Sequence, residues 1–217
     1  MYGVVQRLDL ARQQQLLEEC RSLLSAAPLY SNYAPSRGIG RRDCRGTCET
    51  CFSGADVRRA KYQNTSFGSW GYYAPPCGSR YVPAHPTTGE PFPPVPAGIL
   101  AICAEVAQAY GFEYEAQSAY LSYYPLGSAI GRHQDYEEKV NKPVISISLG
   151  EDGLFEFGGL ERFGAYEEIV LHSGDVFLFG GEHRYCYHSV RRIMPGTKPA
   201  ELSMDPVRIS LTIRQYE

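Results

Sequence analysis

The sequence predicts a mainly β protein with flanking helices, its strands closed into an antiparallel sandwich or barrel. Three observations predict it. From about residue 117 the apolar periodicity changes to two. Six short β-branched or aromatic runs then follow: "AYLSYYP", "PVISISLG", "LFEFGG", "EEIVLHSGDVFLFGG", "RYCYHSV" and "VRISLTIRQY". Gly, Pro or Asp turns divide them, and no helical pattern lies between.

The first element is a helix over about 9–26, where Leu10, Leu16, Leu17, Cys20, Leu23 and Leu24 recur at helical spacing and Pro28 follows. Residues 30–98 are rich in Gly, Pro, Tyr, Arg and Cys without sustained periodicity, and read as loops and short strands. "PFPPVPAG" leads into a second helix over about 97–110, with Ile99, Ile102, Cys103, Val106 and Tyr110 on one face. The β unit comes last. The 217 residues therefore read as one domain over 1–217, with a basic, Cys-containing, lid-like insertion at about 30–85.

Composition narrows the function. Hydrophobic residues at 43% and charged residues at 21% are ordinary globular usage. No apolar run is long enough to span a bilayer and no signal peptide opens the chain, so an intracellular protein, cytoplasmic or nuclear, without membrane contact is expected. The seven Cys are odd in number, and free thiols in a reducing compartment are the expectation. The net charge of −3 argues against a general polyanion binder, yet residues 36–61 set seven basic side chains against three acidic ones, a local +4. Charge that local either steers a phosphate backbone or lies solvated in a loop.

The chemistry centres on "RHQDYEE", residues 132–138. His133 and Asp135 are either part of an exposed polar loop or two ligands of one metal ion. Two His and one carboxylate on one face of ferrous iron form the facial triad of non-haem oxygenases. His172, His183 and His188 are candidates for the third ligand. His188 alternates with Tyr187 and Ser189 on an expected strand, which gives it an edge over the other two. In "RISLTIR", Arg208, Ser210, Thr212 and Arg214 share one face and Ile209, Leu211 and Ile213 the other. Inside a barrel such arginines need anionic partners, and a dicarboxylate cosubstrate would supply them. On an edge strand they would lie in water.

From residue 67 onward the chain resembles the AlkB family of iron(II)- and 2-oxoglutarate-dependent dioxygenases. The resemblance rests on "YYPLGSAIGRHQDYEE", "PVISISLGEDGLFEFGG", "GDVFLFGGEHRYCYHSV" and "RISLTIRQ" in family order. It implies a double-stranded β-helix (jelly roll) supported by N-terminal helices, with a substrate-covering lid. It implies His133, Asp135 and His188 as iron(II) ligands. Arg208 and Tyr124 would hold the distal carboxylate of 2-oxoglutarate, with Arg214 near its chelating end. Ser122 and Ser210 stand beside the cosubstrate where the family often has Asn. Glu137 matches an acidic position that faces the damaged base in base-repair members, whereas Glu138 has no such match and is expected in solvent. Tyr72 and Tyr81 would sit on the lid, and Phe179 would line the metal pocket. The implied reaction is oxidative removal of small N-alkyl groups, as from 1-methyladenine or 3-methylcytosine, in DNA or RNA by a monomer. It consumes dioxygen and 2-oxoglutarate and releases formaldehyde, succinate and carbon dioxide. The rivals are an oxygenase of the same fold acting on a protein side chain and a non-catalytic nucleic-acid-binding module.

Cys44, Cys48 and Cys51 fall outside the resemblance. Their spacing is that of the radical-SAM cluster motif, but a β unit follows where that fold needs a partial α/β barrel. Free thiols are expected there. The other reading is a structural zinc, with Cys77 or His85 as the fourth ligand.

Overall fold

The computed structural model describes residues 1–32, 60–75 and 78–217. Two sheets face each other as a double-stranded β-helix. The larger comprises β1 (Tyr2–Arg7), β2 (Gln63–Gly68), β5 (Ser118–Pro125), β7 (Val144–Gly150), β10 (Asp175–Phe179) and β12 (Val207–Arg214), in the order β1-β10-β7-β12-β5-β2. The smaller has β6 (Ile130–His133), β8 (Asp152–Gly158), β9 (Tyr166–Leu171) and β11 (His188–Met194), in the order β6-β11-β8-β9. A separate hairpin joins β3 (Gly71–Tyr73) to β4 (Arg80–Val82). Helices α1 (Leu10–Leu23) and α2 (Ala97–Tyr110) pack on the outside of the larger sheet. Among the described residues no helix is long and apolar enough to cross a membrane.

Both helices begin and end on local chemistry. The Asp9 carboxylate caps α1 by accepting from the Arg12 backbone N–H at 2.8 Å. Gly111 ends α2 in the left-handed region at φ 69°. Leu16, Leu17 and Cys20 of α1 meet Ile99, Ile102, Cys103 and Val106 of α2 over one face of the sheet.

Alternation in β5, β7 and β12 makes the larger sheet a partition. Its outer face presents Ala119, Leu121, Ile145, Ile147, Leu149, Leu211 and Ile213 to the helices. The inner face presents Tyr120, Ser122, Tyr124, Ser146, Arg208, Ser210, Thr212 and Arg214 to a cavity. Register fixes which side chain faces which: Arg208 lies opposite Tyr124, and Ser210 lies between Ser122 on β5 and Ser148 on β7. The smaller sheet closes the cavity, and its Phe155 and Phe157 join Phe177 and Phe179 of β10 in a second cluster.

Three elements differ from expectation. β1 precedes the first helix as an edge strand on β10, with a register shift between Val4 and Gln6. Its partial exposure on both faces leaves no period-two pattern to read. The run "RYCYHSV" is a strand only from His188 onward, because a 3-10 turn at Gly181–His183 precedes it. The run "EEIVLHSGDVFLFGG" divides into β9 and β10 at a turn where Gly174 takes φ +88°.

Candidate active site

The adjoining ends of β6 and β11 build a metal-ligating cluster. His133 closes β6, His188 opens β11, and the two are register partners. Asp135 follows two residues after His133, and one ligand atom from each of the three lies within 4.8 Å of the others. The Nδ1 of His133 donates to the Gly131 carbonyl at 2.9 Å, and that of His188 to the Cys186 carbonyl at 3.0 Å. That leaves both Nε2 atoms as free acceptors turned toward Asp135, each 3.9 Å from one of its oxygens. Burial, reinforced by neighbouring His133, lowers the His188 pKa to about 4, so the ring is neutral and ready to ligate near pH 7. Burial alone would raise the Asp135 pKa, but Arg214, His188, His133 and Arg184 outweigh it and hold the group below the usual carboxylate range. These residues fit a divalent iron.

His172 and His183 are engaged elsewhere. His172 pairs with Asp152 at 2.8 Å, and His183 contacts the N-terminal amine at 2.9 Å. His85 is engaged by backbone groups. Its Nε2 donates to the Pro28 carbonyl at 2.7 Å, and its Nδ1 accepts from the Thr87 and Thr88 backbone N–H groups. Cys44, Cys48, Cys51 and Cys77 lie outside the described residues, as does most of the basic segment. Cys20, Cys103 and Cys186 are free and buried.

A cavity of about 590 Å3, counting the space at its mouth, runs inward from the triad. Tyr124, Ser122, Ser210, Phe179, Arg208 and Arg214 all line it. Arg208 is 1% exposed, and among the described residues no carboxylate comes within ion-pair distance of it. It donates to Ser148 Oγ at 2.8 Å and to the Leu171 carbonyl at 3.4 Å, while its Nε is buried without a partner. Burial lowers its pKa to about 10, the mark of a buried cation lacking a full counter-charge. Gly153 makes room for it, since a Cβ there would stand 2.8 Å from Nε. With Tyr124 opposite, this donor set fits a carboxylate. Ser122 donates to Asn64 Oδ1 at 3.2 Å, and Ser210 contacts Ser146 at 3.3 Å.

Glu138 overturns the expectation that it is in solvent. Its side chain is 2% exposed and accepts from Arg184 Nη2 at 2.8 Å and the Tyr81 hydroxyl at 2.5 Å. Arg214 Nε stands 3.3 Å from it and donates through Nη2 to Asp135 at 2.7 Å, while Arg184 Nη1 holds the Asp135 backbone carbonyl at 2.7 Å. Two arginines and two carboxylates, Asp135 among them, thus form a neutral quartet at the edge of the His133–Asp135–His188 cluster. Sequence reasoning missed Glu138 and Arg184 because nothing local in "YEE" or "GEHR" signals burial. Their partners are distant in sequence: each other, and for Glu138 also Tyr81 and Arg214.

The hairpin stands over the site and is tied down. The Tyr30 hydroxyl donates to the Tyr72 carbonyl at 2.6 Å, and the Asn32 carboxamide accepts from the Ala74 N–H at 3.0 Å. Tyr72 is half-buried, with its ring edge-on to Tyr120 at 5.3 Å. Tyr81 is more enclosed than a lid aromatic was expected to be. It is 8% exposed, packed on Tyr216 at 4.6 Å, with its hydroxyl on Glu138. Glu137 is half-buried and accepts a hydrogen bond from Ser79 beside the hairpin. Burial, together with neighbouring Asp135 and Glu138, raises its pKa.

Comparison with known proteins agrees with this geometry. The model of the 2OG-Fe(II) oxygenase superfamily matches residues 8–214. The chain is 33% identical over 153 residues to the alpha-ketoglutarate-dependent dioxygenase AlkB of Escherichia coli K12, covering 70% of this chain and 69% of that one. It is 36% identical over 110 residues to the human nucleic acid dioxygenase ALKBH1, covering 50% of this chain but 28% of that protein. The solved structure of OsALKBH1 superposes with a TM-score of 0.76 at 24% identity, covering 99% of this chain and 97% of that one, and shares the fold.

Proposed function

Because the chain belongs to the AlkB family of Fe(II)- and 2-oxoglutarate-dependent dioxygenases, we propose that it removes small alkyl groups oxidatively from nucleobases in DNA or RNA. The observation that carries this reading is Glu137, a half-buried carboxylate two residues beyond iron ligand Asp135 and beside the Tyr72 hairpin. A base methylated at a Watson–Crick ring nitrogen is cationic, and a partly desolvated carboxylate favours it over a neutral base.

Each residue has a task. His133, Asp135 and His188 would hold iron(II), and Arg208 with Tyr124 would hold one carboxylate of 2-oxoglutarate. Ser122 and Ser210 would line its length, and Arg214 would steady its chelating end through Asp135. Bound together, iron and cosubstrate would activate dioxygen, one oxygen atom of which would hydroxylate an N-methyl carbon while the other enters succinate, and the hydroxylated carbon would leave as formaldehyde. Tyr72 would stack on the extruded base, with Tyr81 supporting the hairpin from beneath. Phe179 keeps the metal side of the cavity dry, its ring 5.2 Å from His188. The name of the human relative, a nucleic acid dioxygenase, supports the substrate class.

The test is turnover. Purified protein with iron, 2-oxoglutarate and oligonucleotides carrying 1-methyladenine, 3-methylcytosine, an etheno adduct or N6-methyladenine should release succinate coupled to loss of the modification. Glu137→Gln should lower the ratio of cationic to neutral lesion turnover by roughly tenfold, equivalent to about 1–2 kcal/mol. No turnover of any modified strand would favour a protein side chain as substrate. An unchanged ratio would remove Glu137 from base reading.

A further inference from the structure

The loop between β8 and β9, residues 159–165, leaves two large apolar side chains in water: Phe163 is 88% exposed and Leu160 64%. A scattered exposed apolar residue needs no explanation. These two share one braced loop, and its position is specific. His188 is the register partner of both His133 and Phe157, and Gly158 is the next residue along β8, paired with Tyr166. The loop therefore leaves the smaller sheet one residue beyond the level of the iron ligands.

Its conformation is fixed from below. Gly158 donates to the Tyr187 carbonyl and Tyr187 returns a bond to the Gly159 carbonyl, both at 2.8 Å. Gly164 closes a turn onto the Glu161 carbonyl at 3.2 Å. Arg132, the residue before ligand His133, pairs with Glu156 at 3.1 Å and lies 3.7 Å over the Tyr166 ring. It also donates to the Arg162 carbonyl at 3.3 Å. The Arg162 guanidinium carbon stands 5.9 Å from the Phe163 ring. An aromatic ring and an aliphatic side chain are thus presented on a hydrogen-bonded tip, with Arg162 between them in sequence and 5.9 Å from the ring.

We propose that this tip is a wedge for duplex nucleic acid, with Phe163 and Leu160 entering the stack beside the modified base and Arg162 meeting the phosphate backbone. The inference rests on the nucleobase reading above. Extruding a base from a duplex leaves a gap between its neighbours, and apolar side chains inserted at a base step can fill it. A single strand has no such gap, so the wedge matters for duplex and little for single strand.

The experiment uses the full chain and a duplex of about 20 base pairs carrying one 1-methyladenine with 2-aminopurine next to it, alongside the same modified strand alone. Dissociation constants come from fluorescence anisotropy at one salt concentration, and base unstacking from 2-aminopurine emission. Phe163→Ser should raise the duplex-to-single-strand ratio of dissociation constants about tenfold and remove the unstacking signal on duplex, as expected for a lost base–aromatic stack. Phe163→Trp should restore both. An unchanged ratio, with wild type turning over the modified strand, overturns the wedge and leaves the substrate reading intact. Wild type that turns over no modified strand defeats the substrate reading and the wedge with it. If Phe163→Ser instead changes the sedimentation coefficient of the free protein, the tip is a contact between copies of this chain, and the wedge is overturned.

Discussion

A methyl group at Gly153 would stand 2.8 Å from Arg208 Nε and 2.9 Å from its Cζ. The clash falls on the end of a flexible side chain, so the fold can absorb it but the guanidinium must move. Gly153→Ala should therefore leave the melting temperature nearly unchanged and weaken 2-oxoglutarate binding by about tenfold, since a bidentate partner tolerates little displacement. Arg208→Ala should cost two to three orders of magnitude, from the roughly 3–5 kcal/mol of a broken buried ion pair, and Lys should rescue only part of it. Isothermal titration with 2-oxoglutarate checks all three, and unaltered affinity in Arg208→Ala would exclude the carboxylate site. Glu138→Gln removes one charge from the quartet and leaves Arg184 and Arg214 facing Asp135 alone. Drawn closer to two cations, Asp135 becomes a poorer ligand, and metal affinity should fall about tenfold. A competition titration with a chromophoric chelator measures it, and an unchanged value would make Glu138 a packing residue only. At this scale the chain was legible wherever strand alternation or His-x-Asp spacing carried the signal, as at His133, Asp135 and Arg208. Glu138, Arg184 and Gly153 were illegible, because their roles depend on side chains that meet only when the strands pair.

The β3–β4 hairpin is an element that the family resemblance, not composition, placed as a lid, and its tethering had no sequence signal. "SWGYY" and "SRYVP" lie in a stretch whose composition reads only as loops and short strands. Nothing in them states that Tyr30, Asn32 and Ser66 tie β3 to the body through backbone contacts. A tethered hairpin presents Tyr72 with little entropy left to lose on binding. Tyr72→Ala should lower turnover of cationic and neutral lesions alike, by roughly tenfold, since stacking contributes about 1–3 kcal/mol per base regardless of charge. Steady-state kinetics on paired oligonucleotides check this, and a loss confined to cationic lesions would mean that Tyr72 acts through charge. The strand boundaries show the same division. The long alternating runs of β5, β7 and β12 were readable, whereas β1, half-exposed on a sheet edge, carries no alternation of its own.

For the molecule as a whole, ligands that bind only the folded cavity must stabilise it. Saturation at about a hundred times the dissociation constant contributes about 2.7 kcal/mol per ligand. For a chain of 217 residues this predicts a rise in melting temperature of roughly 10–20 °C with ferrous iron and 2-oxoglutarate together under anaerobic conditions, reversed by chelation. Asp135→Ala should abolish the metal-dependent part, and a shift that survives it would place the metal elsewhere. The partition formed by the larger sheet carries a further consequence, for folding fidelity. Side chains in a strand point alternately to opposite faces, so a slip of β12 by one residue against β5 would exchange its two faces completely. Ile209, Leu211 and Ile213 would then face the cavity, while Arg208 and Arg214 would be driven among the apolar side chains of α1 and α2. Burying two unpaired guanidinium groups there is far costlier than losing a packing contact. The pattern that builds the catalytic cavity therefore also works as an error check on assembly. A chain in the wrong register is not a weaker enzyme but a misfolded one, open to proteolysis before it could meet its substrate.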